Sequence, residues 1–114
     1  MFPVLSPVFV GTDFVAVPGF VNQVDCNGAG RIASLPAAAS VSNGTFIGIK
    51  KSNRSDVSAV SLSTVLVSDT IDGAPGQGGG FLSSFLDDTA SSVVLVSDGI
   101  SNWTILAGGN DNGF

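Results

Sequence analysis

The chain has 114 residues, one domain's length, with a net charge of −5 and only 11% charged residues. All nine acids are Asp; Glu, His and Tyr are absent, and Ser, Val and Gly dominate. This excludes a helical bundle, because β-branched residues, Ser and Gly favour strands and turns. It also excludes a basic nucleic-acid binder and, with 44% hydrophobic residues, a chain that stays unfolded.

Residues 1–20 read as an extended apolar arm. Pro3, Pro7 and Pro18 interrupt the greasy run, and no positive segment precedes it, so neither a secretory signal nor a membrane span is expected. Proline fixes φ and extends the residue before it. Phe2, Val4, Leu5, Val8, Phe9 and Val10 would be costly to leave in water. They are expected either on a neighbouring subunit or capsid protein, or as a first strand of their own domain. Residues 21–114 form the β-rich remainder.

Residues 13–17 alternate as a strand, with Phe14 and Ala16 on one side and Val15 and Val17 on the other. Pro18-Gly19 turns the chain. Residues 20–24 are again extended and close on Asp25-Cys26-Asn27-Gly28. Residues 31–35 alternate weakly up to Pro36, and Ala37-Ala38-Ala39 can make one helical turn. Residues 45–51 form a strand in which Phe46 and Gly48 alternate with Ile47 and Ile49, and the polar 52–56 segment is a loop. In 57–67, Val60 and Leu62 share a face opposite Ser61 and Ser63. Val65 and Val67 then fall on the other parity, which predicts a bulge or break near Ser63-Thr64.

Residues 69–73 are a turn region, and 74–80 (APGQGGG) is too flexible for a regular strand. The 81–86 run (FLSSFL) fits either period, and Asp87-Asp88 is a turn. Residues 93–97 are apolar on both faces, which predicts a strand buried on both sides. Asp98-Gly99-Ile100-Ser101 reads as a hairpin loop leading to a last strand, 102–107, with Trp103, Ile105 and Ala107 on one face. Residues 108–114 are a polar tail. The run VLVSD occurs at 65–69 and again at 94–98. Two copies are too few for a solenoid, and they read as two similar buried strands entering Asp turns.

Chemistry is scarce. Without His the chain holds no Ser-His-Asp or Cys-His arrangement, and lone Cys26 supplies neither a zinc cluster nor an intrachain disulfide. No pair of Asp is singled out by spacing for glycoside hydrolysis. The glycine-rich 73–80 stretch lacks the Lys-Ser/Thr of a phosphate loop and is read as a flexible loop. Asp25, Asp69, Asp72, Asp87, Asp88, Asp98 and Asp111 fit turns better than calcium sites. The sequons at Asn43, Asn53 and Asn102 are taken as accidental. Lys50-Lys51 with Arg54 reads as a solvated strand end, and Trp103 as core or interface packing rather than a sugar platform. The expectation is no enzymatic activity, no cofactor and no metal.

Several segments in order carry a resemblance: Leu35-Pro36-Ala37-Ala38, Ile47-Gly48-Ile49-Lys50-Lys51, Asp69-Thr70-Ile71-Asp72-Gly73, and Val94-Leu95-Val96-Ser97-Asp98-Gly99 followed by Asn102-Trp103-Thr104-Ile105-Leu106. Over residues 30–107 the chain resembles a small β-rich module of tailed-bacteriophage virion proteins, found in capsid cement or decoration proteins, head fibres and tail-fibre segments. It departs in having Thr104 where an aromatic often follows the Trp, and in the longer, more apolar segment after Gly73. Residues 1–29 fall outside it.

The resemblance implies an antiparallel all-β fold, sandwich- or barrel-like, that trimerises about a three-fold axis and plays a structural or adhesive role. The function expected is therefore that of a capsid cement protein. It would act as a homotrimer on the outer capsid surface of the virion and clamp neighbouring major capsid subunits, with no nucleic-acid or membrane partner. Ile47, Ile49, Val60, Leu62, Val93, Leu95, Trp103 and Ile105 are expected in the trimer interface or core. The alternative is a short head- or tail-fibre module that attaches to a host-surface glycan.

Overall fold

The computed structural model describes residues 4–53, 58–76 and 92–109. The chain is all-β. Among the described residues eleven strands run in order: β1 (Val4–Leu5), β2 (Phe9–Val10), β3 (Phe14–Val15), β4 (Phe20–Asp25), β5 (Arg31–Leu35), β6 (Phe46–Lys51), β7 (Val60–Thr64), β8 (Thr70–Ile71), β9 (Ala74–Pro75), β10 (Ser92–Ser97) and β11 (Asn102–Gly109). The anticipated helical turn is a 3-10 turn over Ala38–Ser40.

Strand direction departs from the antiparallel expectation. From β2 to β7 the chain steps alternately between two sheets, and each strand lies parallel to its predecessor in the same sheet. In the small three-stranded sheet, Phe14, Ala33 and Leu62 stand side by side along β3-β5-β7. In the large sheet, β4 pairs parallel with β6, and β1 and β2 lie end to end along the other edge of β4. The chain thus winds as a short coil, in which the return path between parallel neighbours is a strand of the opposite sheet rather than a helix. Antiparallel pairing enters afterwards, where β10 pairs with β6 and β11, and β8 pairs with β9.

Alternation governs which side chains meet between the sheets. Phe14, Ala16, Ala33, Leu35, Val60 and Leu62 from the small sheet pack on Val24, Ile47, Ile49, Ile71, Val93, Leu95 and Trp103 from the large one in a single core. Each such aliphatic side chain contributes roughly 1.5–3 kcal/mol on full burial. The core is therefore complete within one chain. Of the residues expected in the trimer interface or core, Ile47, Ile49, Val60, Leu62, Val93, Leu95 and Trp103 are at most 1% exposed, and Ile105 packs on their margin.

The slip expected near Ser63-Thr64 is a break rather than a bulge: Thr64 stays on the core side with Val60 and Leu62, and strand β7 ends there. Three other local expectations are corrected. Val65, Leu66 and Val67 are consequently exposed, so the first VLVSD copy is a surface bend, whereas the second is strand β10. In β10 the burial is one-sided, with Val93, Leu95 and Ser97 buried and Val94 and Val96 half-buried on the outer face. Ala74-Pro75, expected to be irregular, is a strand. It pairs with β8 across Asp72-Gly73, whose φ values of 52° and 80° fit the two-residue hairpin turn that Asp-Gly favours. The bulge in this fold lies in β11, where Leu106 is the extra residue that brings Ala107 opposite Val94.

Phe2, Arg54, Val57, the 77–80 and 81–86 stretches, Asp87-Asp88 and the tail from 110 onward lie outside the described residues.

Candidate functional site

The N-terminal segment lies on its own domain. Ser6 fixes it: its backbone N–H donates to the Val21 carbonyl, its hydroxyl accepts from the Gln23 N–H at 3.0 Å, and its carbonyl accepts from the Gln23 amide at 2.7 Å. Val4 stands opposite Phe20 in the ladder. Phe9 stacks flat on Phe14 with ring centroids 4.5 Å apart, so this one arm residue belongs to the core margin. Leu5, Val8 and Val10 remain exposed on the outside of the first coil.

Polar groups that could have done chemistry hold the scaffold instead. Asn22, which sequence reading passed over, is fully buried. Its Oδ1 accepts from the Val17 N–H at 2.7 Å, and its amide donates to the carbonyls of Val17, Phe20 and Gly48. One side chain thereby closes the corner between β3 and β4 and ties it to β6. Lys51 is a correction to the solvated strand end: alternation aims it inward with Ile47 and Ile49, and it is 2% exposed. Cys26 is buried and reduced, its thiol facing the Ser58 and Ala59 carbonyls at 3.7 and 3.8 Å.

Residues 36–38, 69–73 and 97–105 converge in space. Trp103 donates its indole N–H to the Pro36 carbonyl at 3.1 Å. Asp69, also buried, accepts from the Ala38 N–H at 2.9 Å, while the Ser97 hydroxyl donates to the Ala38 carbonyl at 3.0 Å. Asn102 Oδ1 accepts from Thr70 and from the Gly73 N–H, and Asp72 Oδ1 accepts from the Ile105 N–H. Residues far apart in sequence thus lock the 36–38 segment and the β8-β9 hairpin onto β11.

Asp98 organises the β10-β11 turn. Its Oδ1 accepts the N–H groups of Ile100, Ser101 and Asn102 at 2.7–3.0 Å. These bonds, the one from Asn102 foremost, hold its carboxyl below the usual Asp value, because they favour the charged form. Among the described residues no buried side-chain polar atom lacks a partner, and no group of His, Cys, Asp or Glu could hold a metal ion. No helix among them is long and apolar enough to cross a membrane.

What remains for recognition is surface. The outer face of the large sheet carries Val21, Phe46, Val94 and Val96, all half-buried, with Gln23 and Lys50 side by side in the neighbouring row. The small sheet is different. Val15 and Ile32 stand exposed on its outer face, Val17 and Val65 continue it at one end, and Leu66 and Val67 follow. Between them Ser34 and Ser63, side by side in the ladder, leave a shallow open depression of about 620 Å³. Asp13 is the one charged residue in its wall, and its Oδ1 accepts the Ile32 N–H at 2.9 Å. The period-two alternation put Val15 and Val17 together on one face, but nothing in the sequence showed that this face is the outer one or that Ile32 and Val65 would join them.

No protein-family model matches the chain, and no curated protein matches it significantly.

Proposed function

We propose that this protein is a structural virion component, a capsid cement protein that acts as a homotrimer on the outer surface of a phage head. The observation that carries the reading is the contrast between interior and surface. Polar groups are consumed in holding the fold, while a cluster of aliphatic side chains with almost no charge stands exposed on one sheet. A protein that clamps neighbours needs area and complementarity rather than a reactive group. The convergence of the Pro36–Trp103, Ala38–Asp69 and Ala38–Ser97 contacts supports the resemblance, since it gives those motif residues a shared task in the scaffold.

The glycan-binding fibre reading loses its main candidate, because the Trp103 ring is fully buried and offers no face to a sugar. Exposed Leu5, Val8 and Val10 are candidates for contact with the major capsid protein. The test is co-sedimentation of purified protein with phage heads that lack it and, in parallel, with host cells. Saturable binding to heads is expected. Binding to cells with none to heads would overturn the cement reading.

A further inference from the structure

We infer that the N-terminal segment is an edge guard: it closes the β4 side of the large sheet, and its release lets β4 pair with β4 of a second copy. Such pairing is independent of the capsid reading. Among the described residues, strands β4, β6 and β10 inside the sheet have six residues each and β11 has eight. The strands at its two ends, β1 with β2 and β9, have two each. A long bare edge presents a row of unpaired N–H and C=O groups on which another chain can add; short strands, a broken register and proline blunt it.

The arm carries all three devices. Leu5 lies opposite Val21 and Phe9 opposite Val24, so four steps along the arm match three along β4. The extra residue falls within Ser6-Pro7-Val8 and divides β1 from β2. Successive N–H groups of an extended chain point to opposite sides. The Ser6 N–H turns inward to the Val21 carbonyl, so the next outward position is Pro7, which has no N–H to offer. The far end of the sheet repeats the pattern. The Gly76 N–H turns inward to the Asp69 carbonyl, which leaves Pro75 in the outward place of β9. Past the end of β8, the Asp72 carboxylate takes up the Ile105 N–H of β11.

Two inward side chains latch the arm. The Ser6 hydroxyl accepts the Gln23 N–H, and Phe9 stacks on Phe14, while Leu5, Val8 and Val10 stay exposed. When the arm lifts, the Gln23 N–H and the Val21 and Asp25 carbonyls lose their partners together. All three belong to alternate residues on one side of β4, the row that an added strand uses. This row is self-complementary. In an antiparallel pair centred on Gln23, each Val21 lies opposite Asp25 of the other copy, so no two carboxylates face each other across the axis.

The experiment uses the full chain. Ser6→Ala/Phe9→Ala removes both latches. In sedimentation it should associate beyond the wild-type state, at a concentration about 10-fold or more lower than the wild type requires. Trp103 emission reports whether the domain stays folded. Should the double variant unfold, Ser6→Ala alone, which removes a single hydroxyl, carries the same comparison.

A second readout fixes the place. Across the pair the two Gln23 Cα atoms would stand about 5.5 Å apart, within disulfide reach. Gln23→Cys in the latch-free background should therefore link two chains on air oxidation. With the latches intact the link should form about 10-fold more slowly, because the arm covers the edge. Cys26 is buried and does not compete. A folded latch-free variant that associates no more than the wild type overturns the inference. Association without the Gln23→Cys link also overturns it, because the copies then meet elsewhere. Neither result alters co-sedimentation of the wild type with phage heads, on which the cement reading stands or falls.

Discussion

Replacing Asn22 tests whether the corner between the two sheets depends on one buried amide. In Asn22→Ala the Val17 N–H loses its acceptor, and the carbonyls of Val17, Phe20 and Gly48 each lose a donor. A buried donor left unpaired costs about 1–3 kcal/mol, and the small void adds to it, so a loss of about 3 kcal/mol is expected. For a domain of this size that is a fall of roughly 10–20 °C in Tm. The isosteric Asn22→Asp separates hydrogen bonding from volume. Its carboxylate can still accept from Val17, yet as an anion it would face three carbonyls without a proton to offer.

Burial and those carbonyls raise the pKa of the introduced acid in the folded state. A group whose folded pKa is raised contributes its stability below the unfolded value, about 3.9 for Asp, and loses it as pH climbs through the folded pKa. Asn22→Asp should therefore lie close to wild type at pH 4 and fall well below it at pH 7. Urea denaturation at both pH values, followed by Trp103 emission, reads the difference directly. A loss below about 0.5 kcal/mol for Asn22→Ala, or a pH-independent deficit for Asn22→Asp, would refute the argument.

Other substitutions probe the remaining joints. Trp103→Ala empties the largest fully buried side-chain position and frees the Pro36 carbonyl, so a loss of about 3–5 kcal/mol is expected in chemical denaturation. An unchanged melting curve would return the ring to the surface. Gly76→Ala would drive a Cβ into the buried Thr64 side chain, 2.6 Å from its Oγ1, and should cost about 1–3 kcal/mol. Gly30→Ala, whose nearest neighbour is a carbonyl oxygen at 3.5 Å, should be close to neutral when both variants are compared by chemical denaturation. Asp98→Ala should lower Tm at pH 7. Because the Asp98 pKa is depressed, its contribution is present above the unfolded Asp value and fades as pH falls through the folded one, so wild type and variant should converge in acid.

The expected alternation matches the structure where one face is buried. Phe14 and Ala16 point inward against Val15 and Val17, and Val60 and Leu62 against Ser61 and Ser63. The Asp98 hairpin loop and the turn after Ala37 were legible for a related reason, since both depend on hydrogen bonds between near neighbours. The VLVSD repeat misled because identical local pattern was read as identical environment. Val94-Leu95-Val96 found ladder partners on both sides, while Val65-Leu66-Val67 passed beyond the end of β7. The two-sided grease of β10 likewise proved to be one core face and one outer face.

Composition and period-two patterning by themselves settled that this chain is all-β, and which face of most strands turns inward, because those follow from the pleat and from water. Whether neighbouring strands run parallel, that Asn22 and Lys51 are enclosed, and that Val15, Ile32 and Val65 gather on one bare face were decided in three dimensions. Alternation is the same whichever way the adjacent strand runs, and burial of a polar side chain depends on partners that the coil brings from distant parts of the chain.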